Sequence, residues 1–449
     1  MSESTYRSWR SPSSLRWLVG CVASVGLVVG LAWFFLADGI PVLWGPMASA
    51  ESKRAGRELF EHEWTPNDPM SSGDGLGPVF NAKSCAACHF QGGVGGAGDR
   101  KHNATHFEVL PTVQRRELIS GVVHTSSVAP GDRESFKLLR QTFPIITFPA
   151  PPPPPPGQNC IMVPPQKPPF DPLRTESIQS PALFGIGWID RIPTKSITLR
   201  AQRRGMNLAM KELTGDFSGI PVGKVPYTSD GRVGKFGWRG QFATLEEFVA
   251  SACANELGLG TPTMPQAVPF HKPQAATEVA PDLTKRQFRD LLAFVDTLPK
   301  PIEVASEAAS RGKVHFSSVG CAVCHAPDTG GVKNVYSDFL LYKVEDPVAV
   351  AAQYGQTPPP ESKRPDNVPE PAEWKTPPLW GVADSAPYMH DGSAPTLASA
   401  IQRHAGDAKE SKAAYDKLTE AERGDLIKFL ESLKAPPSEE SSMVAKVTR

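Results

Sequence analysis

Cys85-Ala86-Ala87-Cys88-His89, and far downstream Cys321-Ala322-Val323-Cys324-His325, decide how this chain is read. Two thiols separated by two residues reach both vinyl positions of one porphyrin, and the next residue offers an imidazole to the iron. A zinc site would need a partner cluster, and the remaining cysteines are poorly spaced to supply one. Two such motifs in one chain therefore predict two covalently bound haem c groups. Cys85 and Cys88 hold the first and Cys321 and Cys324 the second, with His89 and His325 as proximal iron ligands.

The surroundings of the motifs agree. Glycine-rich segments flank the first, Ser71 to Gly77 before it and Gly92 to Gly98 after it, as a backbone passing close to a flat macrocycle requires. Gly56-Arg57-Glu58-Leu59-Phe60 ahead of the first motif repeats as Gly312-Lys313-Val314-His315-Phe316 ahead of the second. This predicts two related helices, each turning a phenylalanine towards its haem. Apolar periodicity predicts helices over 51–64, 244–257, 281–298 and 419–433, the second and fourth opening with a capping-box spacing, Thr244 with Glu247 and Thr419 with Glu422. Ser196 to Leu199 reads as a short strand, Pro151 to Pro156 as polyproline II or loop, and Gln353 to Trp374 as an exposed loop.

The expected fold class is mainly α: two cytochrome c-like haem domains with an irregular, Pro-rich, partly β insertion, after an N-terminal transmembrane helix. The expected domains are a membrane anchor or signal segment over 1–50, an N-terminal cytochrome c-like domain with the insertion over 51–299, a C-terminal cytochrome c domain over 300–437, and a disordered tail over 438–449. Trp17 to Ala37 is an apolar run without charge, long enough to span a bilayer, preceded by Arg7, Arg10 and Arg16. A cleaved signal peptide ending near Ala48-Ser49-Ala50 is the competing reading. Both place the rest of the chain in the periplasm, where haem c is attached. Acidic and basic residues balance at 47 each, so nucleic acid is not an expected partner. Cys160 and Cys253 are either a disulfide or two buried thiols.

The sixth ligands decide between electron transfer and oxidant chemistry. His404, after a predicted helix, is the candidate for the second haem, with His390 or Met389 as alternatives. His106, His102 and His124 are the candidates for the first.

The runs Thr376-Pro377-Pro378-Leu379-Trp380-Gly381 and Ala386-Pro387-Tyr388-Met389-His390-Asp391-Gly392, with Thr396-Leu397, resemble bacterial dihaem cytochrome c peroxidases. They are closer still to the relatives classed as dihaem oxidoreductases or thiol oxidoreductases. Ser180-Pro181-Ala182-Leu183-Phe184-Gly185, Gly234 to Trp238 and Ala252 to Gly258 resemble blocks of that second group. The resemblance implies a C-terminal electron-transfer haem feeding an N-terminal haem that reduces peroxide. It puts His404 where the peroxidases hold a methionine, and His106 near their displaceable distal histidine. Ser385 and Pro387 fall on a pattern that helps bind calcium between domains, which adds calcium as an option. Tyr342 stands where the related group often has a histidine, and Glu108 and Glu134 are the candidates for the acid that assists peroxide cleavage. Three functions follow: a peroxidase-type oxidoreductase, a membrane-anchored electron-transfer cytochrome without peroxidase activity, and oxidation of a partner protein. The implied electron donor is a small redox protein or the quinol chain.

Overall fold

The structure, a computed structural model, describes residues 45–112, 115–132, 135–148, 169–213, 221–270, 279–344 and 372–437. The apolar run 17–37, the proline run 151–156, Cys160, Glu134 and the tail 438–449 lie outside them. No helix among the described residues is long and apolar enough to cross a membrane.

Helices α1 (Ala50–Glu61), α2 (Ser135–Thr142), α3 (Ile186–Asp190), α4 (Thr194–Leu213), α5 (Leu245–Glu256), α6 (Lys285–Asp296), α7 (Glu307–Ser318), α8 (Leu397–Gln402), α9 (Lys409–Asp416) and α10 (Glu420–Ser432) carry the fold. Strands β1 (Ala104–Val109), β2 (Ile119–Val123) and β3 (Leu173–Ile178) form an antiparallel sheet with β1 in the centre. It packs on its own small core of Phe107, Val109, Val123, Leu139, Phe143 and Leu173. Strands β4 (Leu341–Lys343) and β5 (Glu373–Lys375) pair antiparallel near the second motif.

Two helix pairs frame the two motifs in the same way. In the first, α1 starts on Ser49, whose side chain accepts from the Ser52 amide, and crosses α6, which starts on a Thr284–Gln287 capping box. In the second, α7 starts on Ser306 and crosses α10, which starts on a Thr419–Glu422 capping box. Each pair crosses at a glycine. A Cβ on Gly56 would sit 1.9 Å from the Asp290 carbonyl oxygen, and one on Gly312 would sit 1.9 Å from that of Asp425. The crossings thus bring backbone onto backbone, which only glycine permits. Phe60 then meets Phe294, and Phe316 meets Phe429, each with ring centroids 5.2 Å apart.

The two halves share one core. Val332, Val335, Phe339, Leu340 and Trp380 of the second half pack in the same cluster as Leu59, Phe60, Trp64, Phe288 and Leu291 of the first. The second half adds a cluster around Phe316, Tyr336, Leu426 and Phe429.

Three sequence expectations are corrected. Ser196 to Leu199 lies within the first two turns of α4, not in a strand. The β-prone Ile and Thr are outvoted by the Arg-, Ala-, Met- and Leu-rich stretch that follows, and Ile197 is fully buried by helical packing. Trp374 lies in β5, paired with Tyr342, rather than in an exposed loop; residues 353–371 of that loop are outside the described residues. The helix expected over 281–298 begins at Lys285, because the Asp282 side chain holds the preceding turn through the amides of Gly75 and Gly260.

Candidate haem sites

Each CxxCH motif forms one tight turn. The amides of Cys88 and His89 both donate to the Cys85 carbonyl, and those of Cys324 and His325 both donate to the Cys321 carbonyl. None of the four cysteines is in a disulfide, and burial pushes their thiols up, Cys85 and Cys324 to about 12, Cys88 and Cys321 to about 11. Both thiols of a motif and its histidine therefore sit on one turn, the donor set that covalent haem attachment uses.

Each histidine is oriented by backbone carbonyls. His89 Nδ1 lies 3.1 Å from the Gly96 oxygen, and the Pro181 backbone also acts on the imidazole. His325 Nδ1 lies 3.2 Å from the Tyr336 oxygen, and the Pro377 backbone also acts on the imidazole. Such bonds fix the tautomer and leave Nε2 as the free nitrogen for a metal. Burial holds both imidazoles at a pKa of about 4, so they stay neutral as ligation requires. Phe60 flanks His89 at 6.3 Å and Phe316 flanks His325 at 6.4 Å, as the repeat predicts.

His404 faces His325. Their ring centroids lie 6.4 Å apart, and His404 Nδ1 is tied to the Ala400 oxygen at 2.8 Å. Two imidazoles on opposite sides of one metal, with bonds of roughly 2 Å, put their centroids about 6 Å apart. Both residues line a cavity of about 520 Å³, together with Cys321, Cys324 and Tyr342. The cavity continues to Ala97, Ser180 and Pro181, next to the first motif. These donors and this space fit a haem on the second motif held by two histidines. Among the described residues no second histidine ring faces His89 in the way that His404 faces His325.

The other sequence candidates are occupied elsewhere. His106 lies on the central strand β1, where burial and Arg239 lower its pKa to about 4, and it is not part of the cavity lining. Glu108 is two residues on in the same strand, registered against Arg174. His102 pairs with Asp99 at 2.7 Å, and His124 bonds the Asn255 oxygen at 2.9 Å. His390 does line the cavity, stacked on Trp374 at 3.6 Å and 3.6 Å from the Glu176 carboxylate. Ser385 donates to the Gly381 oxygen, and no group of three or more His, Cys, Asp or Glu side chains is placed to hold a metal ion among the described residues.

Sequence reading missed three features. Tyr342 belongs to a buried network in which its hydroxyl donates to Asp338 at 2.7 Å, while Arg204 from α4 grips Asp338, Tyr342 and the Val323 carbonyl inside the second motif. Glu256, at the end of α5, accepts from Asn81 at 2.9 Å, and its carboxyl is pushed above the usual range by burial; its charge reaches Cys88. The third is a longer repeat. Ser180-Pro181-Ala182-Leu183-Phe184-Gly185 is the counterpart of Thr376-Pro377-Pro378-Leu379-Trp380-Gly381, each carrying the proline carbonyl under its histidine. The glycines ending the two runs adopt the same left-handed φ, 70° and 74°.

The turns beyond these straps repeat as well. Gly237 and Gly240 have φ of 79° and 69°; Met389 and Gly392 have 71° and 67°. Each turn closes one strand bridge, Phe236 with Phe242 and Tyr388 with Ala394, and leads to a capped helix. The turns are exchanged between the halves. The Trp238 carbonyl accepts from the Lys375 amide at 2.9 Å, and the His390 carbonyl accepts from the Gln179 amide at 2.7 Å. Trp238 Nε1 also donates to the Gln179 oxygen at 2.8 Å, so one tryptophan bridges both straps.

Residues 266–433 match the family described as "Di-haem oxidoreductase, putative peroxidase". No curated protein matches the chain. Similar solved structures include hydrazine synthase of Kuenenia stuttgartiensis, 22% identical over 34% of this chain and 57% of that one, TM-score 0.25. A MauG-like protein associated with microbial copper homeostasis is 18% identical over 46% and 76%, TM-score 0.28. A variant of the diheme peroxidase BthA from Burkholderia thailandensis is 16% identical over 48% and 71%, TM-score 0.29. This chain thus spans little more than half the length of the first. The family match and the two CxxCH turns together give the chain two haem cofactors.

Proposed function

We propose that this relative of the di-haem oxidoreductases is a peroxidase-type enzyme in which the second haem passes electrons and the first reduces peroxide. The asymmetry of the histidines carries this reading: the His404 ring lies 6.4 Å from that of His325, and among the described residues no histidine ring makes such a contact with His89. A haem with two strong ligands supplies electron transfer, and one with an open position supplies chemistry with peroxide.

The protein's own groups have distinct tasks. His89 and His325 are held neutral and oriented by the carbonyls of the glycine, tyrosine and proline segments. Glu256 holds a proton at its carboxyl to higher pH than an ordinary glutamate, because burial disfavours the anion. Its backbone oxygen accepts from the Asn81 and Ala82 amides and its carboxylate from the Asn81 side chain, which holds it just ahead of the first motif, and we assign it as the acid–base group in place of Glu108. Trp238 ties the strap under His89 to the strap under His325, a short covalent and hydrogen-bonded route between the halves.

The same reading takes the apolar run Trp17 to Ala37 as an anchor or signal that exports the chain to the periplasm, with a small redox protein or the quinol chain as donor. Fractionation of cells that mature c-type cytochromes tests it; haem-loaded protein in the cytoplasm would contradict it. The activity is tested by electron paramagnetic resonance of the oxidised and half-reduced protein alongside peroxide turnover. A high-spin first haem with turnover is expected. Two low-spin irons in every state, without turnover, would make the chain an electron-transfer cytochrome instead.

A further inference from the structure

We propose that the Lys375 ammonium is a carboxylate-binding site in the wall of the second haem's cavity, occupied by a carboxylate of the haem itself. Lys375 is the last residue of β5, is 6% exposed, and lines the cavity that also holds His325 and His404. No carboxylate of the described residues forms an ion pair with it. Asp338, whose charge acts on it, is fully buried and already engaged: Arg204 and Tyr342 bind one of its oxygens and the Leu340 amide the other. Glu373, two residues back on the strand, pairs with Lys224, and Asp407 accepts from the Lys343 amide. The Phe339 ring lies 5.4 Å from the Lys375 nitrogen.

A buried ammonium without a counter-charge is costly, and the low-dielectric wall strengthens its attraction for any anion entering the cavity. Consistent with an unmet charge, burial pulls the Lys375 pKa down to about 8 although Asp338 works the other way. A carboxylate fits better than a larger anion, since the same space must take a flat macrocycle. The equivalent residue in the first half is Gln179, whose amide is satisfied by the Gly98 oxygen, so the cation is a property of the second site alone.

The inference rests on the second haem occupying this cavity, which haem counting by mass checks separately. The test uses the haem-loaded full chain and Lys375→Gln, a side chain that the equivalent strap position already accepts. The midpoint potential of the second haem, identified by its response to His404→Gly, is followed spectroelectrochemically, and sodium acetate serves as a free carboxylate. Lys375→Gln is expected to keep two haems and to lower that potential, because a cation favouring the reduced iron is lost; Lys375→Arg keeps it near wild type, and acetate does nothing to wild type. If acetate shifts the wild-type potential saturably but not that of Lys375→Gln, the carboxylate comes from solution. Loss of the second haem in Lys375→Gln but not in Lys375→Arg also supports the site. An unmoved potential in Lys375→Gln with no acetate response, or haem loss in both variants alike, overturns it. Wild-type protein carrying a single haem would instead refute the premise.

Discussion

Replacing Gly312 with alanine tests the helix crossing on which the second site is built. The added methyl would lie 1.9 Å from the Asp425 carbonyl oxygen and 2.9 Å from the Phe429 Cβ. A carbon–oxygen contact needs about 3.3 Å, so α7 and α10 must part by roughly 1.4 Å. A radial gap of that size forfeits much of the dispersion attraction across the interface. Phe316, Phe429, Leu426 and Leu430 all lie on it. Overpacking of this kind costs about 3 kcal/mol, the upper part of its usual range, because the obstacle is backbone and cannot rotate away. Because the two halves share one core and melt as one unit of several hundred residues, that corresponds to a fall of about 4 °C in Tm. Gly424→Ala, on the open face of the same α10 with nothing within 4 Å, supplies the contrast: it should stabilise by about 1 kcal/mol through helix propensity alone. Thermal unfolding followed at the Soret band and by far-ultraviolet circular dichroism measures both. If Gly312→Ala melts within a degree or two of wild type, the backbones do not meet there and the account of the second site's frame is wrong.

Other outcomes follow from the same structure. His404→Gly should convert the second haem from low-spin to high-spin, read by electron paramagnetic resonance; an unchanged signal would remove His404 as its ligand. Glu256→Gln should cut peroxide turnover by about a hundredfold or more while leaving the spectrum of both haems intact. The raised pKa of Glu256 also has a sign for stability. The folded state keeps this proton longer than the unfolded chain, so its contribution is present below the ordinary glutamate pKa and is lost as pH rises through the folded value. Glu256→Gln should therefore flatten the decline of stability above pH 4.5 seen in denaturant titrations, and an identical pH slope would contradict this. Trp238→Phe removes the hydrogen bond to the Gln179 carbonyl and should cost about 1 kcal/mol, with slower electron exchange between the haems in stopped-flow reduction.

The haem turns, the helices beginning at Thr244 and Thr419, and the paired Gly-to-Phe segments were legible because each depends on residues close in sequence. Capping boxes need four consecutive positions, and CxxCH needs five. His404 was legible as a candidate, because a histidine stands just past a helix in the domain whose proximal ligand was already known. Its approach to His325 depends on packing between distant segments, which no local pattern encodes. Glu256 escaped for that reason: its neighbours Asn81 and Cys88 lie far upstream, and only the fold reveals the burial that raises its pKa. The His106 expectation came from the family resemblance, whereas the structure sets it in the central strand, under the charge of Arg239. The repeat of straps and turns was available in the letters themselves. Comparing Ser180 to Gly185 with Thr376 to Gly381 would have exposed it, but insertions of unequal length hide the common spacing.

The reciprocal exchange of turn carbonyls has a consequence for anyone dissecting the molecule. Cutting the chain between α6 and α7 would strand the Gln179 amide without the His390 oxygen and the Lys375 amide without the Trp238 oxygen. It would also lay bare the apolar surface where Val335 and Trp380 meet the first half. Monohaem fragments of this protein should therefore aggregate or melt on their own, and recover only when both pieces are expressed together.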